Sequence, residues 1–268
     1  MLWSAVHSAT TGFRNAVAHV KLPERAQIQG ILLDIEGTTT PVEFVYGVLF
    51  PYAARELSDF IHQHFRDPEI WRLLENLRKQ RNSDSASGLA PPPWRDDSEE
   101  AKISSLVDYG RWLMKKDSKD PALKSLQGRI WQRGYARSEL RGQVYPDVPK
   151  ALQRWRKQGK GVYIYSSGSV LAQKLLFQST AYGDLTLLLD GFFDTRVGTK
   201  TDPNSYRKIS AQIGREPQQV LFVSDAISEL EGAESAGMHT ALSIRSGDTA
   251  PEPARFLVIQ GFDEIFPS

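Results

Sequence analysis

Ile31-Leu32-Leu33-Asp34-Ile35-Glu36-Gly37-Thr38-Thr39-Thr40-Pro41 is the stretch that decides the fold. An apolar triplet that stops at an acid and runs into Gly, Thr and Pro predicts a short buried strand and a turn. The same arrangement recurs downstream. Gly161-Val162-Tyr163-Ile164-Tyr165 is broken by Ser166-Ser167-Gly168-Ser169, and Val220-Leu221-Phe222-Val223 stops at Ser224-Asp225. Phe192-Phe193 predicts a shorter strand leading to Lys200, and Thr240 to Ile244 a further one. Helical spacing lies between them. Asp147 to Gln158 carries Val148, Leu152 and Trp155 inward and is closed by Gly159. Val170 to Phe177 follows the Ser/Gly run. Asp202-Pro203 opens a helix with Tyr206, Ile209 and Ile213 inward, and another runs through Ile227, Leu230 and Ala233 to Gly237.

Strands alternating with helices imply a parallel sheet with right-handed crossovers. One segment interrupts that series directly after the first strand. From Phe50 to about Leu140 the pattern is helical: Leu57, Phe60, Ile61 and Phe65, then Leu73, Leu74 and Leu77. Ser83 to Pro93 reads as a loop. Asp97 and Glu100 have capping-box spacing ahead of a stripe of Ile103, Leu106, Val107, Gly110, Leu113 and Met114. Asp120-Pro121 reads as N-cap and first helical residue before Leu123, Leu126, Gln127, Ile130 and Trp131. The expected fold class is α/β: a Rossmann-like parallel sheet core with a helical cap domain inserted after the first strand. Residues 28–50 and 141–268 form the core, 51–140 the cap, and 1–27 an N-terminal extension. That extension is basic, with Arg14, Lys21 and Arg25 against Glu24. It lacks the apolar segment of a secretory signal, although an organelle-targeting peptide shares its composition.

Composition excludes several classes of function. At roughly 150 residues per domain, 268 residues give room for two domains or one with a large insertion. With 33 basic and 32 acidic residues, bulk charge supports neither nucleic-acid nor membrane binding. No apolar stretch approaches the ~20 residues that cross a bilayer. Cysteine is absent, which removes disulfides, zinc–thiolate sites, iron–sulfur clusters and thiol catalysis. A cytoplasmic location is expected.

Ligands of open α/β sheets bind beyond the carboxyl ends of the strands. Those ends carry Asp34-Ile35-Glu36, Ser166-Ser167-Gly168, Lys200 and Ser224-Asp225. Each alone has a plain explanation. Asp34 or Asp225 can be a turn or cap residue, Ser167 or Ser169 a helix cap, and Lys200 a solvated lysine. Together they fall at one edge of one sheet. Asp34, Glu36 and Asp225 against Lys200 leave two net negative charges, which repel an anion. Unit charges ~4 Å apart interact by about 4 kcal/mol at an effective dielectric near 20. Oxygen donors without thiolate or imidazole suit a hard ion, and Mg²⁺ uses one or two carboxylates, waters and a phosphate oxygen. With one Mg²⁺ the sum is zero. A phosphate could then meet Lys200, the hydroxyls and the N–H groups of the next helix. The set suggests Mg²⁺-dependent phosphoryl chemistry.

Other signals are weak. No G-x-x-x-x-G-K-[ST] is present, and Gly159-Lys160-Gly161 precedes a strand instead of following one. His62 and His64 are two apart and read as surface residues. His7 and His19 lie in the extension, and His239 precedes a strand. Trp71, Trp112, Trp131 and Trp155 read as helix-face core.

The four ordered segments resemble the motifs of the haloacid dehalogenase-like phosphotransferases. Asp34-Ile35-Glu36-Gly37-Thr38-Thr39, Leu49-Phe50-Pro51-Tyr52, Leu126-Gln127-Gly128 and Ile164 to Val170 with Ala172 to Phe177 are similar to the enolase-phosphatase family of methionine salvage. The resemblance runs from about Ile31 to Thr240. It implies two activities on 2,3-diketo-5-methylthiopentyl-1-phosphate: enolisation, then dephosphorylation to the acireductone 1,2-dihydroxy-3-keto-5-methylthiopentene. By that resemblance Asp34 is nucleophile and Mg²⁺ ligand, and Asp225 a second ligand. Ser166, Ser167 and Lys200 bind the phosphate. Glu36, where the wider superfamily has Asp, is a third metal ligand and a catalytic acid/base. The cap closes over the site, with Gln127 and Trp131 as candidate substrate contacts. The implied partner is a small phosphate ester taken by a monomer. A receiver-like signalling module also uses a strand-end Asp, Mg²⁺ and Lys; the large insertion and the Ser-Ser-Gly-Ser run speak against it. Another phosphatase of the superfamily is the remaining alternative.

Overall fold

The computed structural model describes residues 23–245 and 255–267, so the extension lies outside it up to residue 22. Six strands form one parallel sheet in the order β3-β2-β1-β4-β5-β6. They are β1 (Gly30–Leu33), β2 (Gly161–Tyr165), β3 (Gly191–Phe193), β4 (Val220–Ser224), β5 (His239–Ser243) and β6 (Leu257–Ile259). β1 is central. All four of its residues are buried, as an apolar run covered on both faces requires. Alternate side chains go to opposite layers. Ile31, Leu33, Val162, Ile164, Leu221 and Val223 face one core, with Leu152 and Trp155 of α6 (Val148–Lys157) and Leu176 and Phe177 of α7 (Val170–Gln178). Leu32, Tyr165, Val220 and Phe222 face the other, with Tyr206 and Ile209 of α8 (Pro203–Ile213) and Leu230 and Ala233 of α9 (Ile227–Ser235).

Between β1 and β2 the chain is helical. A short α1 (Val42–Phe44) passes through a π-helical turn (Val45–Leu49) into α2 (Phe50–His64). Then come α3 (Pro68–Ala86), α4 (Glu99–Lys115) and α5 (Pro121–Ala136). Their apolar stripes pack on one another and join the α6/α7 side of the core in one continuous cluster. Trp131 of α5 donates its indole N–H to the Leu49 carbonyl at 2.8 Å, tying the last cap helix to the π turn. Among the described residues no helix is long and apolar enough to cross a membrane.

Three local expectations change. The loop expected from Ser83 begins after Ala86, because Asp84 is buried and accepts from Tyr109 Oη at 2.7 Å and Gln80 at 2.8 Å. These contacts hold a Ser/Asn-rich turn in the helix. The cap of α4 is Ser98, which accepts from the Ala101 N–H at 3.1 Å, so Asp97 and Glu100 form no capping box. Trp71 is 37 % exposed and Trp112 half-buried, so only Trp131 and Trp155 of the four are core. Asp120 caps α5 as expected, accepting from Leu123 at 2.8 Å. β6, the π turn and α1 had no expected counterpart.

Candidate active site

Register brings the predicted residues to one level. Leu33 is paired with Ile164 on one side and Val223 on the other. Asp34 therefore follows at the level of Tyr165 and Ser224, and Ile35 at that of Ser166 and Asp225. The Asp34 N–H continues the ladder to the Val223 carbonyl at 3.0 Å. From β1 the chain goes on to β2 on one side and β4 lies on the other, so Asp34 stands where the strand order reverses.

The turn after Asp34 is fixed from both sides. The Gly37 N–H donates to the Thr40 carbonyl at 2.9 Å, and the Thr39 hydroxyl to the Asp34 carbonyl at 3.0 Å. Arg245, buried just beyond β5, donates from Nε to the Thr38 carbonyl at 3.0 Å and from Nη1 to Asp147 at 2.7 Å. Gly37 has φ +66°, and a Cβ there would overlap the Asp225 carboxylate. A glycine at this position supplies both the left-handed turn and the room that lets Asp225 lie against the Asp34 loop.

Lys200 is 8 % exposed and Asp34 3 %. The Lys200 ammonium contacts Asp34 and also Glu229 on α9, at 2.6 Å. The Ser224 hydroxyl lies 2.8 Å from Glu229 and 3.4 Å from Asp34. The Tyr206 hydroxyl donates to the Lys200 carbonyl at 2.6 Å. Sequence reading missed Glu229. The signal was present, since Glu229 lies in the first turn of the helix that follows the strand-end Asp225.

The charge balance is therefore more acidic than expected. Asp34, Glu36, Asp225 and Glu229 face one ammonium, leaving three net negative charges. The acids register this crowding. Burial, then the charge of Asp34, pushes the Glu36 carboxyl up from 4.5 to about 7. Burial, then Asp34 and Glu229, pushes Asp225 up from 3.8 to about 6. Glu229 is also raised, by burial and Asp34. Lys200 is held above its ordinary value: burial opposes its charge, and Asp34 and Glu229 outweigh that. All the donors are oxygens and like charges repel, so the set suits a hard divalent cation. Among the described residues no three acidic or imidazole side chains are already grouped as a metal cage. Mg²⁺ rarely uses one, since it retains waters and takes one or two carboxylates.

A cavity lies between cap and sheet edge. Its polar floor holds Glu36, Ser166, Ser167 and Gly168, and its apolar wall includes Val45, Leu49, Phe50, Met114 and Leu123. Gln127 and Trp131, the expected cap contacts, both line it. Ser166 is 1 % exposed, and its Oγ accepts from the Gly168 N–H at 3.1 Å. Ser169 caps α7, accepting from Ala172 at 3.3 Å. Asp34, Lys200 and Asp225 do not line the cavity. Among the described residues the histidines are elsewhere, His62 being exposed and paired with Glu100 at 3.1 Å, while His7 and His19 lie outside the described residues.

Residues 28–237 match the family model of haloacid dehalogenase-like hydrolases. The chain belongs to that family. Its curated relatives narrow the branch. Enolase-phosphatase E1 of Synechococcus elongatus is 46 % identical over 244 residues, covering 91 % of this chain and 100 % of that protein. Enolase-phosphatase E1 of Xenopus tropicalis is 43 % identical over 245 residues, covering 89 % and 95 %. The crystal structure of the UTR4 protein of Saccharomyces cerevisiae is similar with a TM-score of 0.72 at 34 % identity, covering 88 % of this chain and 99 % of that one. The helical cap after the first strand is thus a family feature, as is the parallel core.

Proposed function

We propose that this member of the haloacid dehalogenase-like hydrolases is a bifunctional enolase-phosphatase of methionine salvage. It converts 2,3-diketo-5-methylthiopentyl-1-phosphate to 1,2-dihydroxy-3-keto-5-methylthiopentene. The observation that carries this is the likeness over the entire length of Enolase-phosphatase E1, cap included. In this fold the cap shapes the substrate cavity, so likeness there speaks to substrate and not only to core chemistry.

Enolisation comes first. A proton leaves C1 and the C2 oxygen gains one. Glu36 is the acid of the rim set that lines the cavity, which places it for the proton transfer. Phosphoryl transfer follows. An Asp34 oxygen bonds to phosphorus as the ester P–O bond breaks, and the departing enol oxygen takes a proton. Water then cleaves the aspartyl-phosphate, releasing phosphate and restoring the carboxylate. Ser166 and Ser167 bind the phosphate. Lys200 holds the Asp34 carboxylate between itself and Ser224, which fixes the attacking oxygen. Asp34, Glu36 and Asp225 would hold one Mg²⁺, which would supply charge neutralisation to the phosphoryl group. The apolar wall of Val45, Leu49, Phe50, Met114 and Trp131 excludes water and fits a methylthio chain.

The test is incubation with the diketo phosphate and Mg²⁺, following the enol by absorbance and phosphate by release. Transient enol followed by stoichiometric phosphate is expected. Phosphate release only from unrelated esters would overturn the substrate assignment.

A further inference from the structure

The sheet edge is short of positive charge. Its single ammonium among the described residues, Lys200, is committed to Asp34 and Glu229 and does not line the cavity. Even one divalent cation leaves the four carboxylates in excess. A phosphate dianion entering the cavity needs a further cation.

One stands on the opposite wall. Lys124, in the first turn of α5, reaches from the cap and donates from Nζ to the Ser167 carbonyl at 2.9 Å. It lines the cavity together with Glu36, Ser166 and Ser167. Its neighbour Lys119 is paired with Asp117 at 2.8 Å. Lys124 has no such partner: among the described residues no carboxylate lies within ion-pair distance, and Ser167 is its one protein acceptor. An ammonium has three donors, so two are left for a ligand. Burial and the nearby Lys119 pull the Lys124 pKa below its ordinary value, so the cation is one that an anion would stabilise.

We propose that Lys124 is a substrate-binding residue whose ammonium meets the phosphate of the ester from the cap side, above the Ser166–Ser167 loop. The inference rests on the phosphatase reading of the site. It makes phosphate affinity depend on contact between cap and core, because the residues below the phosphate belong to the sheet edge and the cation above it belongs to α5. A lysine that only braced the Ser167 loop would act through its hydrogen bond. A lysine that binds the anion acts through its charge.

Two substitutions separate these roles in the full chain. K124Q keeps an N–H donor for the Ser167 carbonyl and loses the charge, and K124M loses both. The probe is inorganic phosphate, titrated calorimetrically with saturating Mg²⁺ at neutral pH, with urea midpoints recorded to verify folding. A charge-assisted hydrogen bond contributes about 1.5–3 kcal/mol, equivalent to a loss of at least about tenfold in affinity. Both variants should show that loss, and the affinity of the wild type should fall more steeply with salt than that of K124Q. K124Q binding phosphate with less than that tenfold loss overturns the proposal. Wild-type protein that binds phosphate but leaves the diketo phosphate unchanged would overturn the substrate assignment alone. Wild-type protein that turns over the diketo phosphate yet binds no phosphate overturns the Lys124 proposal alone.

Discussion

Lys200→Met removes the ammonium from between two buried carboxylates and leaves a side chain of similar length. Asp34 and Glu229 then face each other, with Asp225 and Glu36 nearby. Removing one partner of a buried ion pair costs about 3–5 kcal/mol. Two like charges ~4 Å apart add repulsion of the same order. Against a total stability of about 5–15 kcal/mol this is a large fraction. The penalty must depend on pH. Without Lys200 the folded-state pKa values of Glu36, Asp225 and Glu229 rise further above their unfolded values, so folding takes up protons. Stability of the variant is therefore retained near pH 5 and lost as pH rises toward 8. In the wild type, the raised Lys200 pKa means that its contribution is full below 10.5 and lost only at higher pH. Urea unfolding followed by tryptophan fluorescence at pH 5 and pH 8 gives both values. We expect a penalty of about 3 kcal/mol or more at pH 8 and a much smaller one at pH 5, with partial recovery at pH 8 in Mg²⁺. An equal penalty at both pH values would refute the electrostatic reasoning.

Glu36→Gln should slow enolisation by about 10²–10⁴-fold, read as enol absorbance; an unchanged rate assigns the base elsewhere. Gly37→Ala places a Cβ in the left-handed region, at about 1–2 kcal/mol, and against Asp225. Calorimetry should show weakened Mg²⁺ binding, and wild-type affinity would argue that Asp225 is no ligand. Metal-free protein should lose stability from pH 5 to pH 8, because raised carboxyls favour folding only while protonated. The Glu36 shift alone corresponds to at most about 3 kcal/mol, reduced by its partial solvation, and excess Mg²⁺ should flatten the slope in a thermal melt. Gly142→Ala would drive a Cβ into the Leu176 backbone carbonyl. A stability loss of about 1–3 kcal/mol, seen as a lowered urea midpoint, is expected, and an unchanged one would mean that this junction yields freely.

The sheet was legible because its strands are covered on both faces, so they read as unbroken apolar runs that stop at Asp34, Ser166 and Ser224. Helices with capping pairs, such as Asp120-Pro121, were equally plain. What escaped depended on distant contacts. Ser83 to Ala86 stays helical because Tyr109 and Gln80 reach Asp84, which no local signal shows. β6 has only three residues and borrows its order from β5. The rim acids and Lys200 could be placed at one edge from strand ends alone. Glu229 was missed because it enters one helical turn after its strand, and Lys124 because it comes from the opposite layer. Strand-end logic finds the floor of a site and not its roof.

The most direct measurement is phosphate release by Asp34→Asn from the diketo phosphate in saturating Mg²⁺. The expected result is a folded variant that releases none, while the wild type turns over to completion. Release at the wild-type rate would contradict covalent transfer through Asp34.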